Sequence, residues 1–194
     1  MANKNVYIIA GSNGSGKTTF AKEFLPSYAN CPYFVNADLI AQGLSPFSPQ
    51  SVTIKAGKLV LEQIDELSNK GIDFGFETTL SGKTYQRHFQ SLKEKGYSLH
   101  LFFLWIPSSK LAIARIKDRV EEGGHYVPTV DVKRRFDRSI SNFFKLYLPL
   151  LDSWIIFNNA GSKPIIIAKK DNSHIDIIDN KLFEKILNTV GVKL

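Results

Sequence analysis

The sequence predicts an α/β domain in which helices pack on both faces of a mainly parallel sheet. Short apolar runs rich in strand-forming residues alternate with helical patterns, as they do in βαβ units. The first run, VYIIA at 6–10, leads directly into the glycine-rich segment GSNGSGKT at 11–18. The chain has 194 residues, 43% of them hydrophobic, which is enough for one well-packed core. We therefore expect a single three-layer domain over residues 1–194.

Five apolar runs are the predicted strands, and helices are predicted between and after them. The strands are expected at 6–10, 33–37, 73–78, 98–106 and 153–159. The helices are expected at 17–25, 49–70, 83–95, 108–122 and 130–148. Beyond them, PIIIAKK and HIDIID flank the turn DNS, which predicts an antiparallel hairpin, and KLFEKILNTV predicts a closing helix. The predicted sheet has a five-stranded parallel core, which the hairpin extends at one edge.

Composition narrows the cellular setting and the class of partner. The formal net charge is +7 and the isoelectric point is near 9.4, which favours anionic partners. The single cysteine, Cys31, excludes an internal disulfide and indicates a reducing cytoplasm. The longest apolar runs are too short to cross a bilayer, and the N-terminus lacks the apolar core of a signal peptide. We expect a cytoplasmic protein that does not enter a membrane.

Segment 11–18 fits the phosphate-loop pattern G-x-x-x-x-G-K-[ST] and lies between a predicted strand and a predicted helix. Its glycines allow backbone N–H groups to turn toward phosphate oxygens, and the helix N-terminus adds a positive dipole. Lys17 would reach the β- and γ-phosphates of a nucleotide, and the Thr18 hydroxyl would ligate Mg²⁺. The nucleotide-binding residues expected here are Gly11, Ser12, Asn13, Gly14, Ser15, Gly16, Lys17, Thr18 and Thr19.

Two carboxylates at strand ends indicate which kind of phosphate-loop protein this is. No N/T-K-x-D guanine motif is present and no apolar strand ends in Asp-Glu, which argues against a GTPase and against ABC-type or helicase-like ATPases. Asp38 follows the second predicted strand, and Glu77 lies at the end of the third. Because the carboxyl ends of parallel strands line the ligand crevice, one carboxylate can act as general base while the other orients substrate or Mg²⁺. Two simpler interpretations stay open, with Asp38 as a helix N-cap and Glu77 as a solvated strand end.

Arginines lie on both sides of the glycine-rich turn EEGGHYVP, which follows the fourth strand. They are Arg115 and Arg119 before the turn, and Arg134, Arg135 and Arg138 after it. A helix, a glycine hinge and a second helix are typical of a closing lid, which we expect at about 107–149. An arginine on the γ-phosphate can contribute about 10³–10⁵ in rate. The alternative is that three of them, Arg119, Arg134 and Arg138, form ion pairs on solvated faces. Their partners would be Glu121, Glu122, Asp131 or Asp137.

These features predict an ATP-dependent kinase with the three-layer P-loop NTPase fold, which transfers phosphate to a hydroxyl of a small acceptor. Two alternatives stay open. One is transfer to a nucleic-acid 5′-hydroxyl, which the basic charge allows, although no aromatic–basic groove is visible and nucleic acid is therefore not the favoured partner. The other is a nucleotide-gated binding or regulatory module, which would have no use for a base at Asp38.

The segments GSNGSGKTT, NAD, ETT and RVEEGGHYVP together resemble the zeta-toxin family of P-loop kinases, in particular its small free-standing bacterial members. The resemblance runs from the first strand to the fifth. Zeta toxins transfer the γ-phosphate of ATP to the 3′-hydroxyl of the amino sugar in UDP-N-acetylglucosamine. The resemblance therefore implies ATP and Mg²⁺ as cofactors, UDP-N-acetylglucosamine as the acceptor and an antitoxin protein as a partner.

The resemblance also implies roles for individual residues. Asp38 matches the family's general base, and Lys17 and Thr18 match its phosphate and Mg²⁺ residues. The segment matching the family's substrate side is Glu77, Thr78 and Thr79. The family places two lid arginines on the phosphates, and the residues expected in those roles are Arg119 and either Arg134 or Arg135. The remaining lid candidates are Arg115 at the nucleotide and His125, in the turn, at the acceptor.

Overall fold

The computed structural model describes residues 4–124, 126–171 and 174–192, and it confirms the predicted three-layer α/β fold. The strands are β1 (Lys4–Ala10), β2 (Phe34–Val35), β3 (Phe74–Thr78), β4 (Tyr97–Trp105), β5 (Ser153–Asn158), β6 (Ile165–Asp171) and β7 (His174–Ile177). The helices are α1 (Lys17–Ser27), α2 (Ala37–Leu44), α3 (Thr53–Asn69), α4 (Tyr85–Glu94), α5 (Ser109–Glu121), α6 (Thr129–Asn142) and α7 (Asn180–Val190). None of the helices in these ranges is long and apolar enough to span a membrane.

The described residues form a seven-stranded sheet in the order β2-β3-β1-β4-β5-β6-β7. The first five strands in this order are parallel, and β6 and β7 add the predicted antiparallel hairpin at one edge. Strand β1 lies at the centre of the parallel part, with Ile9 opposite Glu77 and Ala10 opposite Thr78 of β3. This register places Glu77 beside the point at which the chain leaves β1 and enters the phosphate loop.

The helices bury the two faces of the sheet unequally. The larger core joins α3, α4 and α7 to one face, where the sheet residues Phe74, Phe103 and Trp154 are at most 2% exposed. On the other face α1 packs through Ala21 and Leu25. Since α1 begins directly after the phosphate loop, this packing fixes the direction in which the helix N-terminus points.

Two predicted helices are interrupted by a change of helix type, one by a 3-10 turn and one by a π-helical turn. The helix expected at 49–70 begins with a 3-10 turn, Pro49–Val52, and α3 starts only at Thr53. The helix expected at 130–148 ends as α6 at Asn142 and continues as a π-helical turn, Phe143–Tyr147. The wider turn accommodates two fully buried rings, those of Phe143 and Tyr147, and Pro149 then prevents a further α-helical turn.

The second strand is shorter than predicted because a helix takes over its end. Strand β2 contains only Phe34 and Val35, whereas 33–37 was expected. Asn36 leaves the strand to cap α2, and its side-chain oxygen accepts hydrogen bonds from the backbone N–H groups of Asp38 (2.8 Å) and Leu39 (3.0 Å). The interpretation of Asp38 as an N-cap is therefore wrong, since Asn36 has that role.

The close packing of α1 on β3 predicts a specific sensitivity at Gly75. A Cβ at this position would lie 2.7 and 2.9 Å from the two methyl carbons of Leu25, which is 2% exposed. We expect Gly75→Ala to lower the free energy of unfolding by about 1–3 kcal/mol, because the buried Leu25 side chain, or the helix that carries it, must shift. Urea denaturation measures the change.

The matched control is Gly57→Ala, inside α3, where an added Cβ has no atom within 4 Å. Alanine is the better helix former, so this variant should be more stable than the wild type by up to about 1 kcal/mol. A Gly75→Ala protein as stable as the wild type would contradict the close packing of α1 against β3.

Candidate active site

The phosphate loop connects β1 to α1 in a conformation that depends on glycine. Gly14 and Gly16 have φ values of 74° and 87°, in the left-handed region that side chains disfavour. Gly16 is the N-cap of α1, and the first turn of that helix carries no acidic residue. The N-terminus of α1 therefore offers backbone N–H groups and a positive dipole to an anion.

Polar atoms inside the loop fit a phosphate group. Ser15 Oγ is buried and has no hydrogen-bond partner among the described residues. Asn13 Oδ1 is also buried and unpaired there, but as an acceptor it does not donate to phosphate. Lys17 is only 6% exposed, and its Nζ donates to the Ser12 carbonyl at 3.0 Å. A buried ammonium group and a buried hydroxyl are suitable donors to phosphate oxygens. The loop residues thus fit the predicted nucleotide triphosphate.

The Glu77 carboxylate connects three parts of the site. Its Oε2 accepts hydrogen bonds from Thr18 Oγ1 of α1 and from Asn36 Nδ2, both at 2.7 Å. Its Oε1 lies 3.6 Å from Lys17 Nζ. The Glu77 side chain is 11% exposed, so the interpretation of this residue as a solvated strand end is wrong.

The pairing of Thr18 with Glu77 also fits the predicted Mg²⁺. A threonine hydroxyl and a carboxylate oxygen 2.7 Å apart are both oxygen ligands of the kind that Mg²⁺ takes, and its remaining ligands are usually water and substrate phosphates. Among the described residues, no group of three or more His, Cys, Asp or Glu side chains could hold a metal alone. The residues present therefore fit a metal that is bound together with a nucleotide.

A cleft of about 800 Å³ brings the predicted site residues together. Its walls include Lys17, Thr18, Asp38, Glu77, Arg115 and Arg119. Asp38 is half-buried there, in the first turn of α2, and its carboxylate makes no hydrogen bond or ion pair with the described residues. The volume is in the usual range for a ligand site. One cleft thus contains a phosphate loop, a carboxylate that can accept a proton and two arginines.

The two arginines of α5 are held in different ways. Arg115 donates from Nη1 to the Asn159 carbonyl and from Nη2 to the Ala160 carbonyl, both at 2.9 Å. Arg119 lies one turn further along, next to Gly124. A Cβ on Gly124 would be 2.5 Å from Arg119 Cγ and 2.8 Å from the Arg119 carbonyl oxygen, so the glycine makes room for the arginine.

Other predicted residues lie away from the cleft. Arg134 pairs with Asp131 at 2.6 Å on α6, and neither Arg134 nor Arg135 is among the residues that line the cleft. The ion pair is the alternative that the sequence left open for this arginine. The role of Arg134 or Arg135 at the phosphates stays a prediction, and His125 lies outside the described residues.

The two threonines after Glu77 form hydrogen bonds with residues just beyond the end of β3. The Thr78 hydroxyl accepts a hydrogen bond from Leu80 N at 3.1 Å, and Thr79 Oγ1 lies 2.9 Å from Ser81 Oγ. The Thr78 side chain also hydrogen-bonds the Tyr85 hydroxyl. Burial raises the pKa of Tyr85 to about 12, and the hydrogen bond with Thr78 offsets a smaller part of this rise. The substrate-binding role predicted for Thr78 and Thr79 stays a prediction.

Three residues of this cleft were missed by sequence reasoning. The role of Asn36 could have been predicted, because asparagine is a favoured N-cap and this residue comes just before a helical pattern. Asn159 had a weaker signal, its place directly after a strand in a parallel sheet. Gly124 was identified only as part of a hinge, since its contact with Arg119 depends on the way α5 ends.

Comparisons with known proteins identify the family of this chain. A family model described as zeta toxin matches residues 2–170. An uncharacterized protein of Haemophilus influenzae is 32% identical over 136 residues, which are 70% of this chain and 94% of that protein.

Solved structures show the same fold. A chain of the AvrRxo1-ORF1:AvrRxo1-ORF2 complex, solved with ATP, superposes with a TM-score of 0.79 at 20% identity. The match covers 95% of this chain but 64% of that one, so this chain spans less than two thirds of its length. A chain of the PezAT toxin–antitoxin system of Streptococcus pneumoniae superposes with a TM-score of 0.62 at 16% identity, covering 98% of this chain and 88% of that chain.

The resemblance found in the sequence is confirmed by the family match. The matched region, 2–170, includes the phosphate loop, both carboxylates and the arginines of α5. The chain belongs to the zeta toxin family.

Proposed function

We propose that the protein is an ATP-dependent kinase that transfers the γ-phosphate of ATP to a hydroxyl of a small acceptor. The observation that carries this proposal is the single cleft in which Lys17, Asp38 and Arg119 meet. A phosphate loop alone serves many functions, but a carboxylate and an arginine opposite it are what hydroxyl phosphorylation needs. Membership of the zeta toxin family supports the same reaction class.

The phosphate loop and Glu77 hold the nucleotide side of the reaction. Lys17 reaches the β- and γ-phosphates from its buried position, while the loop N–H groups orient the phosphate chain. Thr18 and Glu77 would hold Mg²⁺, and the 2.7 Å contact between them favours this metal role for Glu77 over a purely substrate-side role. The metal, when bound, would supply positive charge next to the phosphate oxygens.

Asp38 acts as the general base. Its carboxylate lies in the cleft at the start of α2, and the hydrogen bond from its own backbone N–H to Asn36 fixes the turn that carries it. An acceptor hydroxyl between Asp38 and the γ-phosphate gives up its proton to the carboxylate as its oxygen attacks phosphorus. The bond from the γ-phosphorus to the β,γ-bridging oxygen breaks, so that ADP leaves and a phosphate ester forms.

Arg119 stabilises the transferring phosphoryl group from the lid side. It is half-buried in the cleft wall and backed by Gly124. Arg134 or Arg135 is proposed as the second lid arginine. For Arg134, this role requires that its ion pair with Asp131 opens when the lid closes.

The acceptor that we propose is UDP-N-acetylglucosamine. Support comes from the family and from the size of the cleft, whose outer wall includes apolar side chains such as Leu39 and the fully exposed Phe47. Thr78, Thr79 and His125 are proposed to contact this acceptor. An antitoxin protein is proposed as a partner, as the name of the PezAT system indicates for that pair.

The charges that line the described cleft are of mixed sign, unlike the basic groove of a nucleic-acid site. The carboxylates that line it are Glu23, Asp38, Glu77, Asp118 and Glu122, and the cationic side chains are Lys17, Arg115 and Arg119. A nucleic-acid site needs a positively charged groove that follows the backbone. The cationic residues of the described cleft are those already assigned to ATP and the lid.

The base assignment predicts the effect of Asp38→Asn. We expect transfer to UDP-N-acetylglucosamine to fall by about 10²–10⁴, because the amide cannot accept the proton, while ATP affinity stays unchanged. Measuring ³¹P NMR of Mg²⁺·ATP with the sugar nucleotide detects the new phosphate ester. Asp65→Asn, on the exposed side of α3, is the matched control and should keep the wild-type rate.

Each contrary result has a distinct meaning. Wild-type transfer by Asp38→Asn would remove Asp38 as the base. Release of ADP and phosphate that the sugar nucleotide does not change would contradict the proposed acceptor, and a 5′-hydroxyl oligonucleotide then tests the nucleic-acid alternative. ATP binding without any hydrolysis or transfer would favour the regulatory module.

The contact between Gly124 and Arg119 predicts that Gly124→Ala lowers the transfer rate. In Gly124→Ala the new methyl group displaces the arginine, and a shift of about 1 Å can cost about 10²-fold in kcat. The same change at Gly43, in α2, has no atom within 4 Å and should leave kcat unaltered. In an Arg119→Ala background most of this loss should disappear, because only the contact with the backbone carbonyl oxygen of residue 119 remains. A loss of kcat as large in that background as in the wild type would contradict a role through the Arg119 side chain.

A further inference from the structure

Asn159 lies directly against the phosphate loop. It follows β5, where its backbone N–H donates to the Trp105 carbonyl at 2.8 Å. Its side-chain Nδ2 donates to the Ser15 carbonyl at 2.7 Å. A Cβ on Gly16 would lie 2.6 Å from the same nitrogen, so only glycine allows this approach. The amide thus determines where the Ser15 carbonyl points.

Arg115 forms hydrogen bonds with the backbone at Asn159. Its two terminal nitrogens donate to the carbonyls of Asn159 and Ala160, each at 2.9 Å. The Ala160 N–H in turn donates to Asn158 Oδ1 at 3.1 Å, which closes a tight turn after β5. The planar fork of a guanidinium group suits two neighbouring carbonyls, and a lysine could reach only one of them.

Helix α5 contacts the phosphate loop at a second point as well. A Cβ on Gly14 would lie 2.6 Å from the Ala112 carbonyl, and Ala112 is one turn before Arg115. The loop is therefore held on both sides of Ser15, directly at Gly14 and through Asn159 at Ser15 and Gly16. Arg115 belongs to this support, and it is also one of the residues that line the cleft.

We propose that Arg115 and Asn159 form a clamp that fixes the phosphate loop at the Ser15–Gly16 peptide in its ATP-binding conformation. A peptide unit is planar and trans, so fixing the Ser15 carbonyl also fixes the direction of the Gly16 N–H. That N–H is one of the loop donors available to phosphate oxygens. Arg115 is on this account a positioning residue that acts through Asn159. The inference rests on ATP binding, one part of the proposed function, and not on the acceptor.

Affinity for Mg²⁺·ATP without acceptor tests the clamp. We expect Arg115→Ala and Asn159→Ala each to weaken binding about tenfold, the equivalent of one well-placed hydrogen bond. The double variant should also lose about tenfold and no more, because both residues act through the same peptide. Isothermal titration calorimetry gives the three dissociation constants.

Two comparisons separate positioning from a general loss of structure. Lys117→Ala, on the exposed side of α5, should bind ATP as the wild type does. The KM for ATP should rise in both clamp variants while the KM for the acceptor stays unchanged. If either alanine variant does not fold, Arg115→Lys or Asn159→Ser, neither of which adds a negative charge beside the phosphates, replaces it and should show the same selective loss.

The outcome that overturns the clamp is independence of the two residues. Losses that multiply to about a hundredfold in the double variant would mean that Arg115 contacts the nucleotide itself. A loss in Arg115→Ala without one in Asn159→Ala would have the same meaning. ATP affinity unchanged in both would show that the loop holds its conformation without them. Failure to transfer phosphate to the proposed acceptor leaves the clamp untouched.

Discussion

The buried Glu77 carboxylate is the constraint on which the rest of the site depends. A carboxylate that is 11% exposed is costly unless it is paired and hydrogen-bonded. Glu77 meets this requirement with Lys17 and Thr18 at the start of α1 and with Asn36 at the start of α2. Two helix starts and the end of β3, three segments distant in sequence, are thereby drawn to one point, and the two helix starts face the same cleft.

The order of the strands explains why these groups meet. Strand β1 lies between β3 and β4, and β2 lies beside β3, so the phosphate loop, Glu77 and Asn36 leave adjacent strands on the same edge of the sheet. Asn36 then has two roles, since its amide nitrogen donates to Glu77 while its oxygen caps α2. The cap places Asp38 in the first turn of the helix. The position of Asp38 and the burial of the Glu77 carboxylate thus both depend on Asn36.

Sequence reasoning predicted the features that depend on local pattern. The phosphate loop is contiguous, and the two carboxylates stand at strand ends, so their convergence follows from the parallel sheet. It did not predict contacts that depend on how elements pack, such as the Arg115 bonds to the turn after β5. The π-helical turn at 143–147 was not predicted either. The spacing of Phe143 and Tyr147 along the sequence is compatible with both α- and π-helical turns. The sequence left the ion pair of Arg134 open as one alternative, because the choice depends on the Arg134 rotamer, which a sequence does not specify.

The measurement that tests the central role of Glu77 most directly is ATP binding with and without Mg²⁺, in the wild type and in Glu77→Gln. The glutamine keeps the shape of the side chain and removes its charge. We expect Mg²⁺ to strengthen ATP binding by the wild type and Glu77→Gln to lose most of this gain, while its affinity for metal-free ATP stays close to that of the wild type. An equal gain from Mg²⁺ in both proteins would contradict the metal role of Glu77, which would then join the three segments without holding the metal.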